Sequence, residues 1–438
     1  MGNEKINTEY PRVLVISHTS FTKSNSMGST LASYFTTYDP DCMAQFYIKD
    51  MTPDIPVCKH YYCTTDKDLV NKLRHPLKGK VGKSIELCVD GDETPGKTAV
   101  ASAAGAHRHR DIALLARKAL WSTRLWNNRA FKDWVRDFDP QVILVQPGDF
   151  SYLLDMGVAL AKKMRLPIVV HQSESYYLKD YEKRTPLYQW FRCDFKKSYE
   201  RLMAHTSFCV YLCEALERGY NRFFSVPSAT IMKATNLVPK INERTLDKNN
   251  IRFIYGGNLG ETVGRCEPLL QLGQAVKALG AHIDVYTSST GEHMKDLTSE
   301  NGIVLHGALP YDELQKEIKS SDFVLYPESQ RPWNVKDLEY AFSTKIADML
   351  ASGVCSVVYG SAKIAGIQYF KEHALGCVIE KQEDIQPLLR ELISNDKLRS
   401  GYIENALSQA KKEHSPTLNS ECMRKVICKA YEKGYCGR

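Results

Sequence analysis

Lys345 and Asp348 stand three residues apart in the segment FSTKIADMLASG, Phe342–Gly353. Three residues along a helix return a side chain to the same face, so the pair presents a cation and a carboxylate together. Ser343 and Thr344 are good N-caps, and a helix opening there offers free N–H groups and a positive dipole end to an anion. Ala351, Ser352 and Gly353 are small and let the helix end close to the apolar run Val354–Tyr359, which reads as a buried strand. The cation and helix start suit phosphate, and the carboxylate suits ribose hydroxyls. A sugar nucleotide asks for both.

A second group is Gly256, Gly257, Asn258, Leu259 and Gly260, between a strand and a helix. Glycine lets backbone N–H groups approach a phosphate. The loop lacks the GxGxxG spacing of a dinucleotide fingerprint, and alone it reads equally well as a structural turn. Beside the Phe342 helix in the same domain, the ligand-binding reading is the stronger. His171 ends an apolar strand, with Ser173 and Glu174 just beyond. It is either a satisfied polar residue or a reactive group beside a cleft, with Glu174 its rival. The triplets Asp39–Asp41, Asp66–Asp68, Asp90–Asp92 and Asp137–Asp139 and the run His107–His109 lack the setting of a metal site, and no metal is expected.

The elements that must position these groups form two successive βα runs. Val13–Ser17, Gln45–Ile48, Val142–Val145, Ile168–Val170 and Phe208–Leu212 read as strands of the first, with a small strand pair at Ile85–Val89 inside a long loop at 74–110. Asn242–Asn250 is a polar linker. Ile251–Tyr255, Ile283–Tyr286, Ile303–Leu305, Phe323–Tyr326 and Val354–Tyr359 read as strands of the second. This is an α/β chain of two doubly wound domains, with ligands expected outside the C-terminal strand ends in a cleft between them. His18, the 146–150 loop, His171, the 256–260 loop and the Phe342 helix occupy such ends. Asp111–Phe138 reads as one helix, with Phe131, Trp134, Val135 and Phe138 on one face and Arg129, Lys132 and Arg136 on another. A basic helix bearing tryptophan suits a membrane surface; an ordinary helix packed on the sheet is the favoured reading.

The 438 residues are 43% hydrophobic and 25% charged, the composition of a globular protein. No apolar run reaches the roughly 20 residues that span a bilayer, and the N-terminus shows no signal-peptide pattern. A cytoplasmic protein is expected. The 13 cysteines are scattered without a CxxC pair, which favours reduced buried thiols. Net charge is +7, and residues 71–136 alone carry 14 Lys and Arg against 6 Asp and Glu. That patch is either a docking surface for an anionic partner or a solvated insertion.

The C-terminal half resembles the retaining family-four glycosyltransferases of GT-B architecture. The likeness rests on IYGGNLG (254–260), HGALPYDEL (306–314), SDFVLYPE (321–328) and FSTKIADMLASG (342–353), in the family's order and spacing. The N-terminal half, with VLVISHTSFTKSNSMGSTLASYF and the unit at 142–171, is similar to the acceptor domain of polysaccharide-building members.

The resemblance implies two Rossmann-like domains: residues 1–240 for the acceptor, with the basic insertion at about 71–136 and a final helix at 417–438 packing back on it, and residues 241–416 for the donor. It implies that Asp348 holds ribose hydroxyls and that Lys345 faces the diphosphate. Gly256, Gly257, Asn258, Gly260, Arg265, Glu328, Ser343 and Thr344 complete the donor side. His171, Lys345 and Glu339 are the implied catalytic residues, and His18, Asn25, Gly28 and Glu174 lie on the acceptor side. Three departures stand out. Asn258 and Val263 occupy places where Arg and Lys are usual, Tyr340 replaces a usual Glu, and the loop from Pro327 to Phe342 is longer.

The expected activity is transfer of a hexose-type sugar from a UDP- or GDP-sugar to a glycan or lipid-linked hydroxyl with retention, in cell-surface polysaccharide synthesis. No cofactor or metal is expected and no nucleic-acid partner, while the 71–136 region would meet an anionic membrane on its cytoplasmic face. The alternatives are a GT-B sugar-nucleotide 2-epimerase and a non-catalytic sugar-nucleotide or glycan-binding subunit.

Overall fold

The computed structural model describes residues 9–87, 107–179, 185–242, 246–248 and 250–436. The chain forms two compact units, one running to Met232 and resuming at Pro416, the other spanning Lys233–Ser415. The division precedes residue 240 because the chain after Met232 bonds within the second unit. The Lys233 ammonium donates to the Thr344 carbonyl at 3.3 Å, and the Thr235 N–H to the His414 carbonyl at 2.9 Å.

The first unit is an eight-stranded sheet of β1 (Val13–Ser17), β2 (Met43–Tyr47), β3 (His60–Cys63), β4 (Lys83–Ile85), β5 (Val142–Val145), β6 (Ile168–Gln172), β7 (Thr206–Tyr211) and β8 (Ser228–Thr230). Their order is β4-β3-β2-β1-β5-β6-β7-β8. Among the described strands only β4 runs antiparallel, against β3. The runs VLVIS and VILV are wholly buried, as a parallel sheet covered on both faces requires. Helix Pro416–Lys433 packs on β5, β6 and β7.

Two expectations change here. The strand at Ile85 ends there, and Val89 and the Asp90–Asp92 triplet lie outside the described residues, as do residues 88–106 of the basic region. The single helix Asp111–Phe138 is two, His107–Ser122 and Arg129–Phe138, so His107–His109 open a helix instead of a loop. Arg124 turns left-handed at φ 56°, and Asn128 caps the second helix by accepting the Phe131 N–H at 3.0 Å. Trp121 and Trp126 are buried. The Trp121 indole stacks on Tyr152 and donates to Asp66, so these rings serve the core.

The second unit is a six-stranded parallel sheet of β9 (Arg252–Gly256), β10 (His282–Tyr286), β11 (Ile303–His306), β12 (Phe323–Pro327), β13 (Cys355–Tyr359) and β14 (Cys377–Ile379). Its order, β11-β10-β9-β12-β13-β14, reverses direction between β9 and β12. The first sheet reverses likewise between β1 and β5. Doubly wound sheets bind ligands outside the carboxyl ends of the strands at such a reversal. No described helix is long and apolar enough to cross a membrane.

Candidate functional site

At the reversal of the second sheet, β9 ends in Gly256 and β12 leads into Glu328. Lys345 reaches this point from the next segment, and its ammonium donates to the Gly256 carbonyl at 2.8 Å. A Cβ at Gly257 would stand 1.8 Å from that ammonium, so glycine there makes room for the lysine. Lys345 is open to solvent at its surface. The protein around its ammonium and the nearby Arg265 charge lower its pKa from 10.5 to about 8, against the pull of Glu328.

Arg265 and Glu328 form a closed pair. Arg265 Nε donates to Glu328 Oε2 at 2.9 Å, and a second guanidinium nitrogen to Oε1 at 2.7 Å. The Glu328 side chain is 1% exposed and that of Arg265 16%. Burial works against the Arg265 charge, and Glu328 more than restores it. Arg265, expected on the donor side, therefore already has its charge paired within the protein.

The glycine loop departs from a phosphate cradle in the same way. The Gly257 N–H bonds the Tyr286 carbonyl at 2.9 Å, the Leu259 N–H the Ser289 hydroxyl at 2.9 Å, and the Gly260 N–H Asn258 Oδ1 at 2.7 Å. Asn258 also accepts from the Ser289 hydroxyl, so its amide is turned onto its own loop. The loop shapes the site, but these donors are already taken by protein acceptors.

The Phe342 segment is also shorter as a helix than its sequence suggests. The helix is Ile346–Ala351, with Lys345 at the N-cap, and neither Ser343 nor Thr344 caps it. The β-turn before it takes the first bond, from the Ile346 N–H to the Ser343 carbonyl. Six residues make a weak dipole, which leaves Lys345 as the principal charge. Asp348 accepts a bond on Oδ1 from the Thr235 hydroxyl at 2.5 Å. Glu339 sits exposed at the end of helix Pro332–Leu338.

In the first unit, His171 lies within β6 with 0% exposure, its ring 4.9 Å from that of Tyr34. Neither ring nitrogen has a partner among the described residues, and burial lowers its pKa to about 3. That corrects the picture of a cleft-facing histidine. Its rival Glu174 is part-exposed beyond the strand, and burial raises its carboxyl, with Lys179 opposing. His18 stacks on Phe150 at 5.8 Å, and burial, Arg117 and Lys49 together lower its pKa to about 4. Asn25 caps helix Ser26–Ala32, and a Cβ on Gly28 would meet the Ser20 carbonyl oxygen at 2.1 Å, so both hold the backbone. The described aspartate triplets have structural partners: Asp39 with the Asp41 N–H, Asp66 with Arg117, Asp68 with the Thr65 N–H, and Asp139 with Arg12.

Residues 269–421 match the model of the "Glycosyl transferase-like" family. No curated protein sequence matches the chain. Among solved structures, the sucrose-phosphate synthase of Thermosynechococcus elongatus superposes with a TM-score of 0.61 at 10% identity, over 96% of this chain and 100% of that one. Anabaena HepE in complex with UDP gives 0.61 at 11% identity, over 94% and 98%. WaaG, a glycosyltransferase involved in lipopolysaccharide biosynthesis, gives 0.54 at 11% identity, over 95% and 99%. The chain has the GT-B fold. The family match is confined to residues 269–421, and the fold likeness spans nearly the whole chain.

Within this GT-B chain, sequence reading missed the Arg265–Glu328 pairing and the Thr235–Asp348 hydrogen bond. The paired residues are 63 positions apart, and Thr235 is 113 from Asp348. No local pattern connects them. The Asn258 loop closure was more accessible, since asparagine two residues before glycine favours an Asx turn.

Proposed function

We propose that this protein transfers a sugar from a nucleoside-diphosphate sugar to a hydroxyl of a glycan or lipid-linked acceptor, with retention of anomeric configuration. The observation that carries the reading is the Lys345 ammonium at the reversal between β9 and β12. As the glycosidic bond breaks, negative charge gathers on the departing diphosphate. A cation there stabilises the transition state more than the ground state. Retention follows if the leaving phosphate oxygen takes the acceptor proton on the face it departs from, a route that uses no protein nucleophile and no metal. Asp348 then holds the ribose, and Glu174 stands nearer to solvent than His171 on the acceptor side.

UDP in the HepE structures supports a uridine nucleotide as the first donor to try. Calorimetry with UDP- and GDP-sugars, followed by a donor-hydrolysis panel, tests the reading. Lys345→Ala and Asp348→Ala should each weaken nucleotide binding. Absence of any nucleotide binding overturns it. Turnover of the donor to an epimer without acceptor assigns the 2-epimerase activity instead.

A second reading, a non-catalytic sugar-nucleotide-binding subunit, draws support from the neutralised Arg265 and from Asn258, whose amide oxygen is taken by Gly260 and Ser289. Binding without turnover on any donor would establish it. For the acceptor, we infer a lipid-linked or polysaccharide intermediate at the cytoplasmic face of a membrane. The basic 71–136 region and the exposed Leu73, Leu77 and Ile112 support that choice. Binding to anionic vesicles should fall with salt, and no binding at low salt removes the membrane from the proposal.

A further inference from the structure

The Thr235 hydroxyl is 3% exposed at the residue level and has both of its hydrogen-bonding roles assigned. It accepts the Leu237 N–H at 3.1 Å, so its single proton is committed to Asp348 Oδ1 at 2.5 Å. An aspartate carboxyl rotates in a broad, nearly two-fold well. A buried hydroxyl on one oxygen fixes that rotation and directs the other oxygen elsewhere. Tyr311, 49% exposed, brings its hydroxyl beside both Asp348 and Thr235.

Thr235 is itself held rigidly. Its N–H bonds the His414 carbonyl at 2.9 Å, and the His414 Nδ1–H bonds the Lys233 carbonyl at 2.7 Å. The Lys233 ammonium bonds the Thr344 carbonyl, one residue before Lys345. The segment 233–237 thus braces the donor-side residues from behind.

We propose that Thr235 is a positioning residue for ribose: by holding Asp348 Oδ1, it aims the carboxylate at the vicinal hydroxyls of a ribonucleoside diphosphate and makes the site distinguish ribose from a sugar that lacks them. The inference rests on the donor-site reading above. Aspartate reaches one methylene less far than glutamate would, so its aim depends more on such a brace.

The test is calorimetry on the full chain with UDP and 2′,3′-dideoxy-UDP, and with GDP and its dideoxy form if UDP is silent. The wild type should prefer the ribose form by about ten-fold, the effect of hydrogen bonds to a charged group. Thr235→Val should bring that ratio to within about three-fold while dideoxy binding stays at the wild-type level, which also certifies folding. Thr235→Ser should restore the preference, and Thr235→Ala repeats the test if the valine variant does not fold. A hydroxyl-less variant that still discriminates like the wild type overturns the proposal. So does a wild type that binds UDP and its dideoxy form equally, a result that leaves the donor site standing. A wild type that binds neither nucleotide overturns the donor site and this inference with it.

Discussion

The Lys345 ammonium and Gly257 compete for one volume: a Cβ on Gly257 would lie 1.8 Å from the lysine nitrogen that bonds the Gly256 carbonyl. The obstructing atom is the end of a flexible side chain, so Gly257→Ala should displace the lysine and spare the fold. Stability in urea should change by less than about 1 kcal/mol, while UDP affinity falls about ten-fold. Gly28→Ala offers the contrast, because its Cβ meets a backbone oxygen. That variant should lose more than about 2 kcal/mol of stability. Equal behaviour of the two alanine variants would contradict the assignment.

Lys345 also predicts a pH dependence. Its pKa is lowered to about 8, so the ammonium is charged below that value and neutral above it. Nucleoside-diphosphate affinity should be highest below pH 8 and fall as pH rises through it. A bound diphosphate holds the proton more tightly, which extends the fall to higher pH. Calorimetry between pH 6.5 and 9.5 should show this slope in the wild type and its loss in Lys345→Met. Parallel slopes would assign the titration to another group.

Arg265 and Glu328 should behave as a unit. Arg265→Met leaves a carboxylate buried at 1% exposure, and such uncompensated charges cost about 3–5 kcal/mol. Glu328→Gln should be similarly harmful. The double variant should recover most of the loss in chemical denaturation, whereas additive losses would argue against coupling.

What the sequence made legible was local. The short apolar runs alternating with helical 3.6-residue patterns, and the small residues Ala351–Gly353, point to two doubly wound domains and the segment holding Lys345. The break at Arg124–Asn128 was signalled by an N-cap asparagine that the long apolar stripe through Phe131 and Trp134 overrode. The enclosure of His171 depends on Tyr34, and the occupation of the Gly257 and Leu259 N–H groups depends on Tyr286 and Ser289. Those partners belong to other elements, and one chain without its fold carries no sign of them.

His171 predicts acid sensitivity. Its folded pKa of about 3 lies below the ordinary 6.5, so the unfolded chain binds the proton more tightly. Its stability contribution is complete above pH 6.5 and is lost as pH falls toward 3. Between pH 6.5 and 5 the loss amounts to about 2 kcal/mol. His18 and His414 act in the same direction through burial. Urea unfolding at pH 7 and pH 5 should show a smaller difference in His171→Phe than in the wild type. An unchanged difference would mean that the ring is not shielded from protons.

The Gly256–Gly260 loop, closed on Tyr286, Ser289 and Asn258, has a thermodynamic consequence. Its backbone has already surrendered its freedom during folding, so an arriving diphosphate does not have to order it. Association should then be governed by encounter, with a small heat-capacity change and with differences among nucleotides expressed in how slowly they leave. In the proposed donor site, the moving part would be the lysine side chain, exchanging the Gly256 carbonyl for a phosphate.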